Sequence, residues 1–126
     1  MQTKHLPDRY ARSLGYMDWS TQPNPFRVYQ GTLNLDLPLV RRPEDLPYGV
    51  LFGSPAMEPR PVNLETLSEF LELSLGLSAW KQYGASEWPL RMNPSSGNLH
   101  PTECYLLLPR CDEMTACIAH YDPLFH

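Results

Sequence analysis

Thirteen consecutive residues, Arg91-Met-Asn-Pro-Ser-Ser-Gly-Asn-Leu-His-Pro-Thr-Glu103, hold the densest set of groups able to do chemistry. Ser95, Ser96, Gly97 and Asn98 are small, so successive backbone N–H groups can be exposed with little steric hindrance. Such a run forms a nest, or a short helix start, that favours anionic oxygens. Asn98 adds an amide donor and an acceptor, Arg91 offers a planar cation suited to a phosphate, and Pro94 sets the entry to the turn. On physical grounds alone this composition describes a turn first and a ligand loop second.

The other polar candidates are weaker. His100 lies between Leu99 and Pro101 and reads as a packed, structural histidine. His5, His120 and His126 lack helical metal spacing. His120, Tyr121 and Asp122 suggest a proton relay by composition, but neighbours on a strand point to opposite faces. Glu65, Glu69 and Glu72 share one ridge of a helical pattern and read as a solvated edge. Cys104, Cys111 and Cys117 include no CxxC pair, so no metal site is expected. No phosphate-loop, Rossmann or nucleophile-elbow pattern occurs, and no catalytic residue is assigned.

The elements that must position the turn can be read on both sides of it. Asn63 is an N-cap, twelve residues without proline or glycine link it to a helix-ending Gly76, and Leu64, Leu67, Leu71 and Leu75 form one stripe at 100° per residue. Phe70, Leu73 and Leu77 widen that apolar surface, which predicts a mostly buried helix. Leu77 to Leu90 is ambiguous, because Gly84 and Pro89 interrupt any regular pattern. Cys104 to Leu108 predicts a strand apolar on both faces, hence central and covered on both sides. Ala116 to Tyr121 predicts a second strand, closed by the Asp122-Pro123 turn, and the link between the two allows antiparallel pairing.

Upstream, nine of the 14 prolines fall in residues 1–62, which disfavours long helices and central strands there. This half reads as an extended arm. Its aromatics Tyr10, Tyr16, Trp19, Phe26, Tyr29, Tyr48 and Phe52 predict that it packs on something. Residues 63–126 form the remaining unit, so the expected class is α+β: a Pro-rich arm, one main helix and an antiparallel strand pair. The 126 residues have room for one small core. A net charge of −4 argues against a general nucleic-acid partner. No apolar run approaches the roughly 18 residues of a membrane span, and no secretory signal is read. With an odd cysteine count, these features predict a cytoplasmic location.

The segments LSLGLSAWKQYGASEW (Leu73 to Trp88) and RMNPSSGNLHPTECYLLL (Arg91 to Leu108) resemble the nitroreductase superfamily, and more narrowly its SagB/ThcOx-type branch of FMN-dependent dehydrogenases. HYDPLFH (His120 to His126) is similar to the strand and turn that follow in that branch. KHLPDRYARSLGYMDW (Lys4 to Trp19) and QPNPFRVYQG (Gln22 to Gly31) are similar to its N-terminal extension. The resemblance implies an antiparallel-centred sheet flanked by helices, a dimer with FMN at the interface, and hydride or electron transfer through the flavin. NAD(P)H and small-molecule or peptide substrates are the implied partners. It assigns Pro94, Ser95, Ser96, Gly97 and Asn98 to the flavin. The family's Arg-Ser-x-Arg phosphate grip has no counterpart upstream of Ser95, which leaves Arg91 and Lys81 as its substitutes. Family members continue beyond the position of His126 with the second half of the pocket. The chain is therefore expected to be truncated or split, working as a homo-oligomer or with a complementary C-terminal chain. The contrasting expectation is an inactive remnant serving as a scaffold or interaction module.

Overall fold

The computed structural model describes residues 15–16, 18–39, 47–53, 59–110 and 114–126. Tyr10, Cys111 and most of the Lys4–Trp19 segment lie outside the described residues, as does the side chain of Trp19. The described part is α+β, with one helix and two small antiparallel strand pairs.

Helix α1 spans Leu64–Leu75. Asn63 Oδ1 accepts from the Thr66 N–H at 2.9 Å, and Thr66 Oγ1 accepts from the Asn63 N–H at 3.1 Å, a reciprocal capping box. Gly76 ends the helix with its N–H shared between Leu71 O and Glu72 O. Its φ is −63°, so the glycine is not needed for a left-handed turn. It is needed for space, because a Cβ there would lie 2.6 Å from the Glu72 carbonyl oxygen. Leu71 and Ser68 are buried, and Leu64, Leu67 and Leu75 are half-buried on the same side. Phe70 and Leu73 are exposed, so the buried stripe is narrower than the sequence suggests. The acidic edge is also corrected. Glu65 is exposed, but Glu69 pairs with Arg60 and Glu72 buries Oε2 without a partner.

The ambiguous segment is a hairpin. Strands β1 (Leu77–Tyr83) and β2 (Ser86–Arg91) pair antiparallel, with a register shift between Leu77 and Ala79. Gly84 opens the two-residue turn at φ 59°, a conformation glycine adopts without steric penalty. Pro89 sits opposite Trp80, on a strand with one open edge, where a missing N–H is tolerated. The hairpin is tied to the helix end by the Met92 N–H, which donates to Gly76 O at 2.9 Å.

A second hairpin joins β3 (Cys104–Leu108) to β4 (Cys117–Tyr121), with Cys104 opposite Tyr121 and Leu108 opposite Cys117. Its predicted pairing is observed, and the Asp122 turn closes it through Leu124 N–H to Asp122 Oδ1 and His126 N–H to Asp122 O. The prediction that β3 is covered on both faces is not met. Leu107 is 80% exposed and its cross-strand partner Ile118 is 74% exposed. Among the described residues β3 pairs only with β4, and nothing lies over that end of the outer face. The hairpins form two separate sheets, not the single central sheet that the resemblance implies.

The arm runs extended across these elements. Phe26 packs near Trp80, with centroids 6.3 Å apart, and Tyr29 stands edge-on to His120 at 5.1 Å. Tyr16, Tyr48 and Phe52 are exposed, so the arm packs through only part of its aromatic set. Further along, Ser68 Oγ donates to Pro38 O at 2.6 Å and the Leu37 N–H donates to His126 O at 3.3 Å.

That last contact belongs to a polar clasp. A carbonyl can only accept, so the Ser68 proton goes to Pro38 O and His126 Nε2 must donate to Ser68 Oγ at 3.0 Å. His126 Nδ1 then accepts from the Tyr121 hydroxyl at 2.7 Å. Burial, followed by the nearby Glu72 and Asp122 charges, pushes the Tyr121 phenol up to about 12, which keeps it a donor. Arm, helix and β4 are thus joined through one imidazole. Ser68, though beside a histidine, is fully buried with its proton committed to a carbonyl, so it is no nucleophile. No helix among the described residues is long and apolar enough to cross a membrane.

Tyr121→Phe should lower stability by about 1 kcal/mol, the worth of one hydrogen bond whose acceptor is left unpaired. Gly76→Ala should cost about 2 kcal/mol or more, because the conflicting atom is backbone. Urea denaturation midpoints would measure both.

Candidate functional site

The segment from Pro94 to His100 is a tight turn whose conformation depends on three left-handed residues. Gly97 has φ 66°, Asn98 φ 56° and His100 φ 47°. Glycine and asparagine enter this region readily, histidine less so. The hydrogen bonds that hold it are internal. Asn98 N–H donates to Ser95 O at 3.2 Å, and His100 N–H donates to Ser95 Oγ at 2.8 Å. Asn98 Nδ2 donates to Pro89 O at 2.9 Å, and His100 Nε2 lies 3.4 Å from the same oxygen. Two of the residues read from sequence as ligand contacts, Ser95 and Asn98, therefore use their side chains to fasten the turn to itself and to β2.

His100 is buried, with Nδ1 unpartnered. Burial lowers its pKa, an effect opposed by the Pro89 carbonyl and reinforced by the charge of Arg91. It stays neutral and donates from Nε2, the structural role that its apolar neighbours suggest.

Beside the turn lies an open cleft of about 650 Å³, lined by the arm at Gln22–Pro25, by β2 at Ser86–Pro89 and by Gly97 and Asn98. This volume falls within the range of small-molecule sites, about 300–1,000 Å³. Trp88 supplies an aromatic wall, and Pro23, Pro25 and Pro89 supply flat apolar surface. Of the residues read from sequence as cofactor contacts, Gly97 and Asn98 reach this cleft. Pro94, Ser95 and Ser96 do not line it.

Arg91 does not line it either. Its side chain is 7% exposed and faces a small internal void shared with Asn93, Glu103 and Tyr121. The guanidinium donates from Nη2 to Pro25 O and lies under the Phe26 ring, 5.1 Å from its centroid. Burial depresses its pKa, opposed by Glu103 and Asp122. The expected phosphate cation is thus an anchor for the arm. Lys81 is opposite Trp88 in the hairpin register but is also absent from the cleft lining. Neither Arg91 nor Lys81 therefore brings a cation to the cleft lining.

A second polar cluster escapes sequence reading. His120 Nε2 meets Glu103 Oε2 at 2.6 Å, while the Tyr29 and Tyr105 hydroxyls touch beside it. The Tyr29 phenol is lowered by its bond to Tyr105 and then by Arg27, whereas the Tyr105 phenol is raised by the same contact. The relay written by the consecutive letters His120, Tyr121 and Asp122 does not form. His120 faces Glu103, and Tyr121 is buried in the clasp. Only the register, which sets His120 opposite Tyr105, brings the true neighbours together.

Among the described residues no group of three or more His, Cys, Asp or Glu could hold a metal ion. Cys104 is half-buried, and burial raises its thiol, away from the reactive thiolate. Comparison with known proteins found no matching family model, no matching curated protein and no matching solved structure.

Asn98→Ala should lower stability by about 1–2 kcal/mol, because it removes a bond to Pro89 O and forces alanine into a left-handed backbone. Asn98→Gly should lose less, since glycine keeps that backbone. The depressed His100 pKa also has a direction in pH. The unfolded chain takes up the proton first, near 6.5, so His100 contributes stability above that pH and loses it as pH falls below. Urea midpoints taken from about pH 7.5 to about pH 5 should fall less steeply for His100→Asn than for the parent.

Proposed function

We propose that this chain supplies one wall of the flavin pocket in an FMN-dependent oxidoreductase of the nitroreductase type, together with a complementary chain or a second copy. The observation that carries the reading is the opening of the Gly97-Asn98 turn onto a cleft walled by Trp88. Trp88 and Pro89 would face the ring, Gly97 would allow close approach, and the arm at Gln22–Pro25 would shield it from water. A bound flavin supplies hydride or electron-pair transfer, with NAD(P)H as donor and a small molecule or peptide as substrate. The residues of this chain bind and orient. The cation for the phosphate comes from the complementary chain or a second copy.

A second reading, an interaction module without catalysis, is favoured by the exposed Leu107–Ile118 pair on the β3–β4 hairpin. An outward apolar pair of this kind suits burial against another chain.

Titration of the purified chain with FMN should quench flavin fluorescence saturably, and Trp88→Leu should weaken binding by about tenfold, the worth of one stacked aromatic wall. Flavin fluorescence that stays unquenched would remove the flavin reading and leave the interaction module.

A further inference from the structure

We infer that the cleft selects an uncharged or cationic planar aromatic group and rejects a phosphate, so that this chain holds a flavin by its ring and gains nothing from the FMN phosphate. The inference rests on the flavin reading above and sharpens its ligand class. Its first support is the charge of the lining, where Glu87 is the only charged residue among the described residues. Glu87 is exposed, so it acts on a ligand without a competing ion pair in the lining.

The second support is the direction of the nearby cations. Arg91 is turned to Pro25 O and capped by Phe26. Arg27 is hydrogen-bonded to Tyr29, which packs against His120 of the β3–β4 hairpin. Lys81 faces out from β1 and does not line the cleft. The third support is the state of the turn. A nest binds an anion with free N–H groups, yet Asn98 N–H, Asn98 Nδ2 and His100 N–H all donate within the protein. Toward the cleft stand an aromatic face, three prolines and one carboxylate, with Gln22, Asn24 and Ser86 as neutral polar groups, a lining that holds a flat neutral or positive ring and brings no cation to a phosphate.

The test titrates the full chain with riboflavin and with FMN in the same low-salt buffer, following flavin fluorescence. Riboflavin should bind as tightly as FMN or more tightly. Glu87→Lys should then tighten FMN relative to riboflavin by about fivefold, the effect of exchanging a repulsive for an attractive charge at a solvated site. Glu87 is exposed on the hairpin opposite Gln82, so this variant leaves the core untouched. FMN binding at least about tenfold tighter than riboflavin in the parent chain would overturn the inference while sparing the flavin reading, since a factor of ten is more than one exposed charge supplies. Loss of such a preference in Lys81→Ala would overturn it in the same way and identify the cation. Failure of both flavins to bind would overturn the inference together with the reading beneath it.

Discussion

The contact between Arg91 and the arm sets the shape of everything around the cleft. A guanidinium that is almost wholly buried must be hydrogen-bonded or it destabilises the fold. Arg91 meets that demand with Pro25 O and lays its plane under Phe26. Through that one contact the end of β2 holds a segment 66 residues upstream in sequence. The wall at Gln22–Pro25 exists because this anchor places it. The Arg91 Nε is buried and makes no hydrogen bond, so the Pro25 contact satisfies the group only in part.

The second constraint is how little apolar surface this chain buries by itself. Among the described residues the large buried hydrophobics are Leu71 and Tyr121, alongside the buried Ser68, Arg91 and His100. The interior is therefore organised by directed polar contacts, the Ser68–His126–Tyr121 clasp on one side and the Pro89 carbonyl with Asn98 and His100 on the other. Directed contacts specify geometry well but contribute only about 1 kcal/mol each. The exposed Leu107 and Ile118 carry apolar area that would add to this interior if another chain covered it. The proposed role as one wall of a shared pocket fits both features.

The helix was legible because its signals are local: Asn63 begins it, Gly76 ends it, and the leucine stripe faces in. The strand pair and the Asp122 turn were legible for the same reason. The hairpin from Leu77 to Arg91 was not, because Gly84 and Pro89 read as breakers although one makes the turn and the other occupies a strand with an open edge. At the site, the composition of residues 94–100 announced a turn. It could not announce that Ser95 and Asn98 bond inward, since their partners are set by where β2 runs. The Glu103–His120 pair and the Arg91 anchor depend on register and long-range packing, which no period in the sequence encodes.

The central claim is that the arm, β2 and the Gly97-Asn98 turn act together as one ring-binding surface. Amide and indole chemical-shift mapping during riboflavin addition tests it most directly. The account predicts concerted shifts at Gln22, Asn24, the Trp88 indole, Gly97 and Asn98, with Leu107 and Ile118 unmoved. Shifts confined to the Leu107–Ile118 face, or none at Trp88, would contradict it.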